Sequence, residues 1–262
     1  MTTEYSGAGD PVRSLELLWG AQPRPRRGPR PRLTVEEIVR AAIAIADAEG
    51  LDALSMRRIA ESLGVAPMSI YTYVPGKSEL IDLMLDRAIG ELAPPADAAA
   101  GGAEWAGEWR DRLERMAREH WDLYHRHPWM LQVSLGRPPM GPNLLDKYER
   151  ELRAVDGLGL TDLEMDSVVA LVTGFAESSA RVSVNAAQAE QRTGMSDEEW
   201  WEASAPVLDK LVDYSRYPLG SRVGTVAGEE YGGAIGPGHA FEFGLERVLD
   251  GIDALIRTRR AP

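Results

Sequence analysis

The chain has no cysteine, which excludes disulfides, thiolate metal sites and a thiol nucleophile. It has no apolar run near the roughly 20 residues that span a bilayer. The opening Met1-Thr-Thr-Glu-Tyr-Ser-Gly7 lacks the basic and apolar stretches of a secretory signal. The expected compartment is therefore the cytoplasm, with no membrane partner. No Ser/His/Asp set, paired carboxylates or phosphate-cradling glycine loop stands out, so neither enzyme chemistry nor a cofactor is expected. His120, His125 and His127 do not share a helix face well, and no metal site is expected there. Positive charge is also scarce. Lys+Arg number 29 against 41 Asp+Glu, a net charge of −12, which taken alone disfavours a polyanionic partner.

What is present suits a globular chain: 262 residues, 27% charged and 44% hydrophobic, enough for one large or two modest domains. Composition changes three times. Residues 1–32 are expected to form a disordered arm. Its end, GAQPRPRRGPRPR at 20–32, carries arginines 24, 26, 27, 30 and 32, four prolines and no acid. Such an arm is either a solvated tail or a source of arginines for a minor groove. Within it, residues 13–19 form a short amphipathic stretch with no evident partner. A small-residue linker at 93–103 marks a boundary between units at 33–92 and 104–262. Seven glycines between Pro218 and Gly238 read as a long mobile loop.

Between these breaks the pattern is helical, with no convincing strand, and the fold class is all-α. Thr34-Val-Glu-Glu37, Thr161-Asp-Leu-Glu164 and Ser196-Asp-Glu-Glu199 are capping boxes that start helices. Val35, Ile38, Ala42, Ile45 and Ala46 form an apolar stripe that Gly50 ends.

The stretch LSMRRIAESLGVAPMSIYTYVPGK at 54–77 is the most informative. Ser55 caps a short helix whose Met56, Ile59, Ala60 and Leu63 face inward, and Gly64 supplies a tight turn. Pro67 opens a second helix that buries Val65, Ile70 and Val74 and leaves Met68, Ser69, Tyr71, Thr72 and Tyr73 facing out or at the edge. That is the pattern of a helix-turn-helix, though a plain helical hairpin within a larger α-fold would share it.

The segments AIADAEGLDALSMRRIAESLGV and SIYTYVPGKSELIDLM resemble the DNA-binding domain of the tetracycline-repressor (TetR) family of bacterial regulators. The resemblance implies an amino-terminal three-helix helix-turn-helix domain and a larger α-helical ligand-binding and dimerisation domain. It also implies residue roles. Arg57 would reach a base edge or phosphate, Met68, Ser69 and Thr72 would face bases, and Tyr71, Tyr73 and Lys77 would hold phosphates. Short side chains at a recognition helix reach bases, while hydroxyls and ammonium groups hold the backbone.

Charge is distributed accordingly. Residues 33–92 carry five basic and ten acidic groups, and 93–262 carry 18 and 28, but within 55–77 Arg57, Arg58 and Lys77 face only Glu61. Positive potential is confined to the expected DNA face and the arm.

The second unit resembles the family's carboxy-terminal domain through Trp109-Arg-Asp-Arg-Leu113, His127-Pro-Trp129, Gly141-Pro-Asn143, Val172-Thr-Gly-Phe175 and the run from Phe241 to Gly251. The resemblance implies a homodimer built on helices near 162–192 and 240–257, with Val168, Leu171, Val172, Phe175 and Ala176 suited to close packing. It also implies a cavity for a small apolar or aromatic molecule. Trp121, Trp129, Met130 and Phe175 are its expected walls, with Gln132 and Ser134 as polar handles. Equally, these aromatics could be core. The histidine that tetracycline-binding members use toward magnesium has no counterpart, since Ser134 stands in that segment and Glu177 is out of step.

The functional expectation is a ligand-responsive repressor on a double-stranded, palindromic operator, with the helix from Lys77 to about Leu92 carrying motion from cavity to DNA. An activator, a ligand-independent regulator, and an enzyme with a regulatory head are the alternatives.

Overall fold

Three capping boxes set the frame. At Thr34 the hydroxyl accepts from the Glu37 amide at 3.1 Å while the Glu37 carboxylate accepts from the Thr34 amide at 2.8 Å. The same reciprocal pair forms at Thr161/Glu164 and Ser196/Glu199. The computed structural model describes residues 4–21, 33–92, 107–233 and 235–260. The arm's arginines and the linker at 93–103 lie outside these residues.

Helix α1 spans Pro11–Leu18, α2 Val35–Glu49, α3 Met56–Leu63, α4 Pro67–Tyr73 and α5 Lys77–Ile89. Gly64 ends α3 at φ +65°, a left-handed conformation that glycine enters without a Cβ penalty. Helices α2, α3 and α4 enclose one core with α5, in which Ile38, Ala42, Ile59, Ala60, Ile70, Val74, Leu80 and Met84 are wholly buried. Each large aliphatic there contributes about 1.5–3 kcal/mol by burial.

The second half comprises α6 (Trp109–Arg126), α7 (Pro142–Val155), α8 (Asp162–Ala187), α9 (Ala189–Thr193), α10 (Asp197–Leu211), α11 (Pro218–Tyr231) and α12 (Pro237–Arg260). Leu113, Met116 and Ala117 of α6, Val168, Val172 and Ala176 of α8, and Phe241, Leu245, Leu249 and Ile252 of α12 form its core. The two cores do not divide at residue 92, because Leu123, Trp129, Met130 and Val133 pack into the first.

Three expectations are corrected. Residues 4–21 are not a disordered arm: Glu4–Tyr5 is a strand, β1, and α1 packs on α5. Asp10 starts α1 by accepting from the amides of Val12 and Arg13.

The glycine-rich stretch from Pro218 is likewise no loop but helix α11. Proline at its first turn and Gly232 at φ +64° start and stop it, at a cost near 1 kcal/mol per interior glycine. Gly220, Gly224 and Gly228 recur every four residues, so they line one face, along a groove of about 950 Å³ shared with Trp201 and Tyr214. Neither α10 nor α11 buries a side chain fully among the described residues.

The third correction concerns strands. β1 pairs in parallel with β2, Val133–Ser134, with Glu4 opposite Val133 and Tyr5 opposite Ser134. Two residues joined across the chain leave no local alternation to read.

Candidate nucleic-acid interface and cavity

Helix α4 is seven residues long and two-faced. Ile70 and the adjoining Val74 are wholly buried, which fixes the helix and turns its other residues outward. Met68 is 73% exposed and Tyr71 45%, Thr72 is exposed, and Ser69 is half-buried. Thr72 Oγ1 donates to the Met68 carbonyl at 3.2 Å, which orients the hydroxyl along the helix. Tyr73 is half-buried against the first core.

Arg57 lies exposed on α3, its Nε 2.9 Å from Glu61 Oε1. Arg58 pairs with Glu49 at 2.7 Å, and this hydrogen bond raises its guanidinium pKa. Lys77, at the first residue of α5, places Nζ 2.8 Å from Glu4 Oε1. The structure thus gathers Arg57, Met68, Ser69, Tyr71, Thr72 and Lys77 around one helix-turn-helix, with each of the three cations in an ion pair.

Beside α8 lies a cavity of about 550 Å³ lined by Leu131, Gln132, Val133, Ser134, Leu135, Glu177, Arg181, Val184, Asn185, Gln188 and Arg192. Gln132 and Ser134 are therefore in its wall. Met130 lies in the first core instead, and Trp129 is buried in that core while lining a neighbouring cavity of about 310 Å³ with Gln132 and Arg192. Trp121 and Phe175 sit against the second core, both near Phe241, whose ring centroid is 4.3 Å from that of Trp121 and 5.8 Å from that of Phe175.

The α8 wall was missed in the sequence, although Glu177, Arg181 and Asn185 recur four apart on one face. Arg181 is fixed by Glu177 at 2.7 Å and donates to the Leu131 carbonyl. Burial, with the Glu177 charge nearby, holds the Tyr124 hydroxyl well above its ordinary range.

Two polar junctions tie these regions together. Asp47 of α2 accepts from Trp129 Nε1 at 2.8 Å, and His127 Nδ1 lies 2.8 Å from the same oxygen. The other ring nitrogen of His127 is 3.2 Å from Glu91. Asp86 of α5 accepts from the Asn143 amide group and the Leu144 backbone at the start of α7. Burial raises the Asp86 pKa, and these hydrogen bonds only partly oppose it. Between α6 and α7, burial pushes Glu151 upward, but His120 and Lys147 outweigh it and hold the carboxyl below its ordinary value. No group of three or more His, Asp or Glu among the described residues could hold a metal ion, and no described helix is long and apolar enough to cross a membrane.

Comparison with known proteins agrees with this layout. Residues 33–84 match the family described as bacterial regulatory proteins, tetR family, and residues 102–256 match the tetracyclin repressor-like C-terminal domain. The chain is 46% identical over 259 residues to the HTH-type transcriptional repressor DrrR1 of Streptomyces coeruleorubidus, covering 99% of this chain and 92% of that protein. Among solved structures, apo ActR from Streptomyces coelicolor superimposes with a TM-score of 0.65 at 26% identity, covering 86% of this chain and 97% of that one. ActR in complex with actinorhodin gives 0.61 at 27% identity, with the same coverage.

Proposed function

This chain belongs to the TetR family of bacterial regulatory proteins, which are not enzymes, and on that premise we propose that it is a homodimeric repressor released from its operator by a small molecule. The observation that carries the reading is α4, where Met68, Tyr71 and Thr72 stand exposed on a helix pinned by buried Ile70 and Val74. Met68, Ser69 and Thr72 read bases, Arg57 reaches a base edge or phosphate, and Tyr71, Tyr73 and Lys77 hold the backbone.

Similarity to a protein named as a repressor supports repression. ActR, solved with actinorhodin and with (S)-DNPA, supports a small-molecule effector. The cavity beside α8 is the proposed site, with Gln132 and Ser134 as polar handles and an apolar or aromatic body in the ligand. Trp121, Trp129, Met130 and Phe175 then act behind the wall, as packing that sets its shape. The regulator works in the cytoplasm, where its DNA lies.

Faces left open on α8 and α12 support the dimer. Leu163, Leu171, Gly174 and Val182 are exposed along α8, and Phe243, Gly251 and Ala254 along α12. Val168, Val172 and Ala176, by contrast, are consumed in the chain's own core. A two-fold pair places two recognition helices on successive major-groove faces about 34 Å apart, as a palindromic operator requires.

A gel-shift with the intergenic DNA beside its own gene tests the reading. Sequence-specific retardation is expected, and its absence would sink it. A thermal-shift screen of hydrophobic small molecules then identifies the effector, because a tight ligand stabilises the folded state by mass action.

A further inference from the structure

The amino-terminal segment is built into the protein at two sites that matter. Along α5, Ser6 Oγ lies 2.8 Å from Asp82 Oδ1, Gly7 donates to the same oxygen at 3.0 Å, and Ser14 Oγ lies 3.0 Å from Oδ2. Asp10 donates its backbone N–H to Glu79 at 3.1 Å. Ser6, Ser14 and Asp82 are all buried, so the two serine–Asp82 hydrogen bonds are interior ones, each costly to leave unmade. The approach is close: a Cβ at Gly9 would stand 2.3 Å from Glu79 Oε1, so the Glu79 side chain would have to shift to admit one. Leu17 seats α1 in the first core, and Trp19 Nε1 donates to the Met140 carbonyl at 2.9 Å.

At its other side the segment touches the cavity wall. β1 pairs with Val133 and Ser134, and the Ser6 amide donates to the Ser134 carbonyl at 3.0 Å. Both strand residues line the cavity. The residue opposite Val133 is Glu4, and Glu4 is the ion-pair partner of Lys77, with both side chains roughly one third exposed.

We propose that residues 4–21 are a strap through which the cavity controls the DNA face, with Glu4 as a positioning residue that withholds the Lys77 ammonium from phosphate. The inference rests on the DNA-binding reading above. While the strap is docked, Lys77 must give up Glu4 before it can hold the backbone. A ligand that prefers the cavity with β1 paired to β2 stabilises the docked strap and so weakens DNA binding. It shifts the equilibrium by its differential affinity for the docked and undocked states, and by nothing more.

The test is the affinity of full-length protein for the intergenic DNA beside its own gene, measured against salt. Glu4→Gln is expected to tighten binding about threefold to tenfold per dimer, since two partly exposed ion pairs no longer compete with phosphate. In a Lys77→Ala background the same change should do nothing. Tightening that persists there is general loss of negative charge and overturns the proposal, as does unchanged or weakened binding by Glu4→Gln alone.

Ser6→Ala with Ser14→Ala frees the strap from Asp82 while keeping Glu4. This pair should reproduce the tightening, and adding Glu4→Gln should bring little more. Wild-type affinity in the folded double variant would show that strap docking does not reach Lys77. Wild-type protein that fails to retard the DNA at all overturns the regulator reading itself. Wild-type retardation without an effect of Glu4→Gln overturns the strap alone.

Discussion

Trp129 donates its indole N–H to Asp47 at 2.8 Å, across 82 residues of sequence. The bond joins the segment after α6 to α2, and the Trp129 ring is 1% exposed in the core beneath the helix-turn-helix. Trp129→Phe keeps most of the packing and loses the donor, while Asp47, 31% exposed, regains water. The expected loss is about 1–2 kcal/mol, against about 3–5 kcal/mol for Trp129→Ala. Urea unfolding measures both. Equal losses would mean that the hydrogen bond, not the ring, carries this junction.

Lys77→Ala should weaken binding to every DNA sequence and flatten the salt dependence by about 0.9 for each phosphate left without its cation. Thr72→Ala should instead change preference at one base position, because its hydroxyl lies on the exposed face of α4. Binding titrations on a set of single-base operator variants separate the two. Identical behaviour would refute the division between anchoring and reading.

Leu171, 51% exposed on α8, belongs to the face assigned to the second copy. Leu171→Glu should give a monomer in analytical ultracentrifugation, with helical content unchanged because the position adds nothing to the chain's own core. A dimer that survives this substitution places the interface elsewhere.

Glu164 caps α8 and receives Arg259 from α12. That hydrogen bond first, and the Thr161 amide second, hold its pKa down to about 2 from an ordinary 4.5. A lowered carboxylate pKa stabilises the fold above the unfolded value and loses that contribution as pH falls through the folded value. The contribution is thus complete above about pH 5 and fades toward pH 2. Arg259→Ala should raise the Glu164 pKa toward its ordinary value while the Thr161 contact keeps it from returning fully. Carboxyl titration by NMR reads both outcomes; no change on removing Arg259 would assign the shift to the cap alone.

Much of this was legible because it is local. A hydroxyl and a carboxylate three residues apart suffice for each capping box, and the burial of Ile59, Ile70 and Val74 follows from their spacing. The exposed face of α4 was legible for the same reason.

What depended on distant partners was not. Nothing near Ser6 or Ser14 announces Asp82, which lies 76 and 68 residues away and supplies their acceptor. Gly220, Gly224 and Gly228 read as breaks because glycine is a poor helix former, and their four-residue spacing becomes one face, along the groove beside Trp201, only once the segment is helical. The aromatics expected in the cavity went to the cores, where large apolar area is best buried. The cavity wall fell to Glu177, Arg181 and Asn185, whose four-residue spacing was present in the sequence but reads equally as a solvated stripe.

The shared core has a practical corollary for engineering. Leu123, Trp129, Met130 and Val133 complete the interior beneath the reading head, so a head excised at residue 92 would carry an unfilled apolar underside. Chimeras that exchange DNA specificity between regulators should be cut so that residues 123–133 travel with the head, or should graft α4 alone onto a recipient whose own underside is intact.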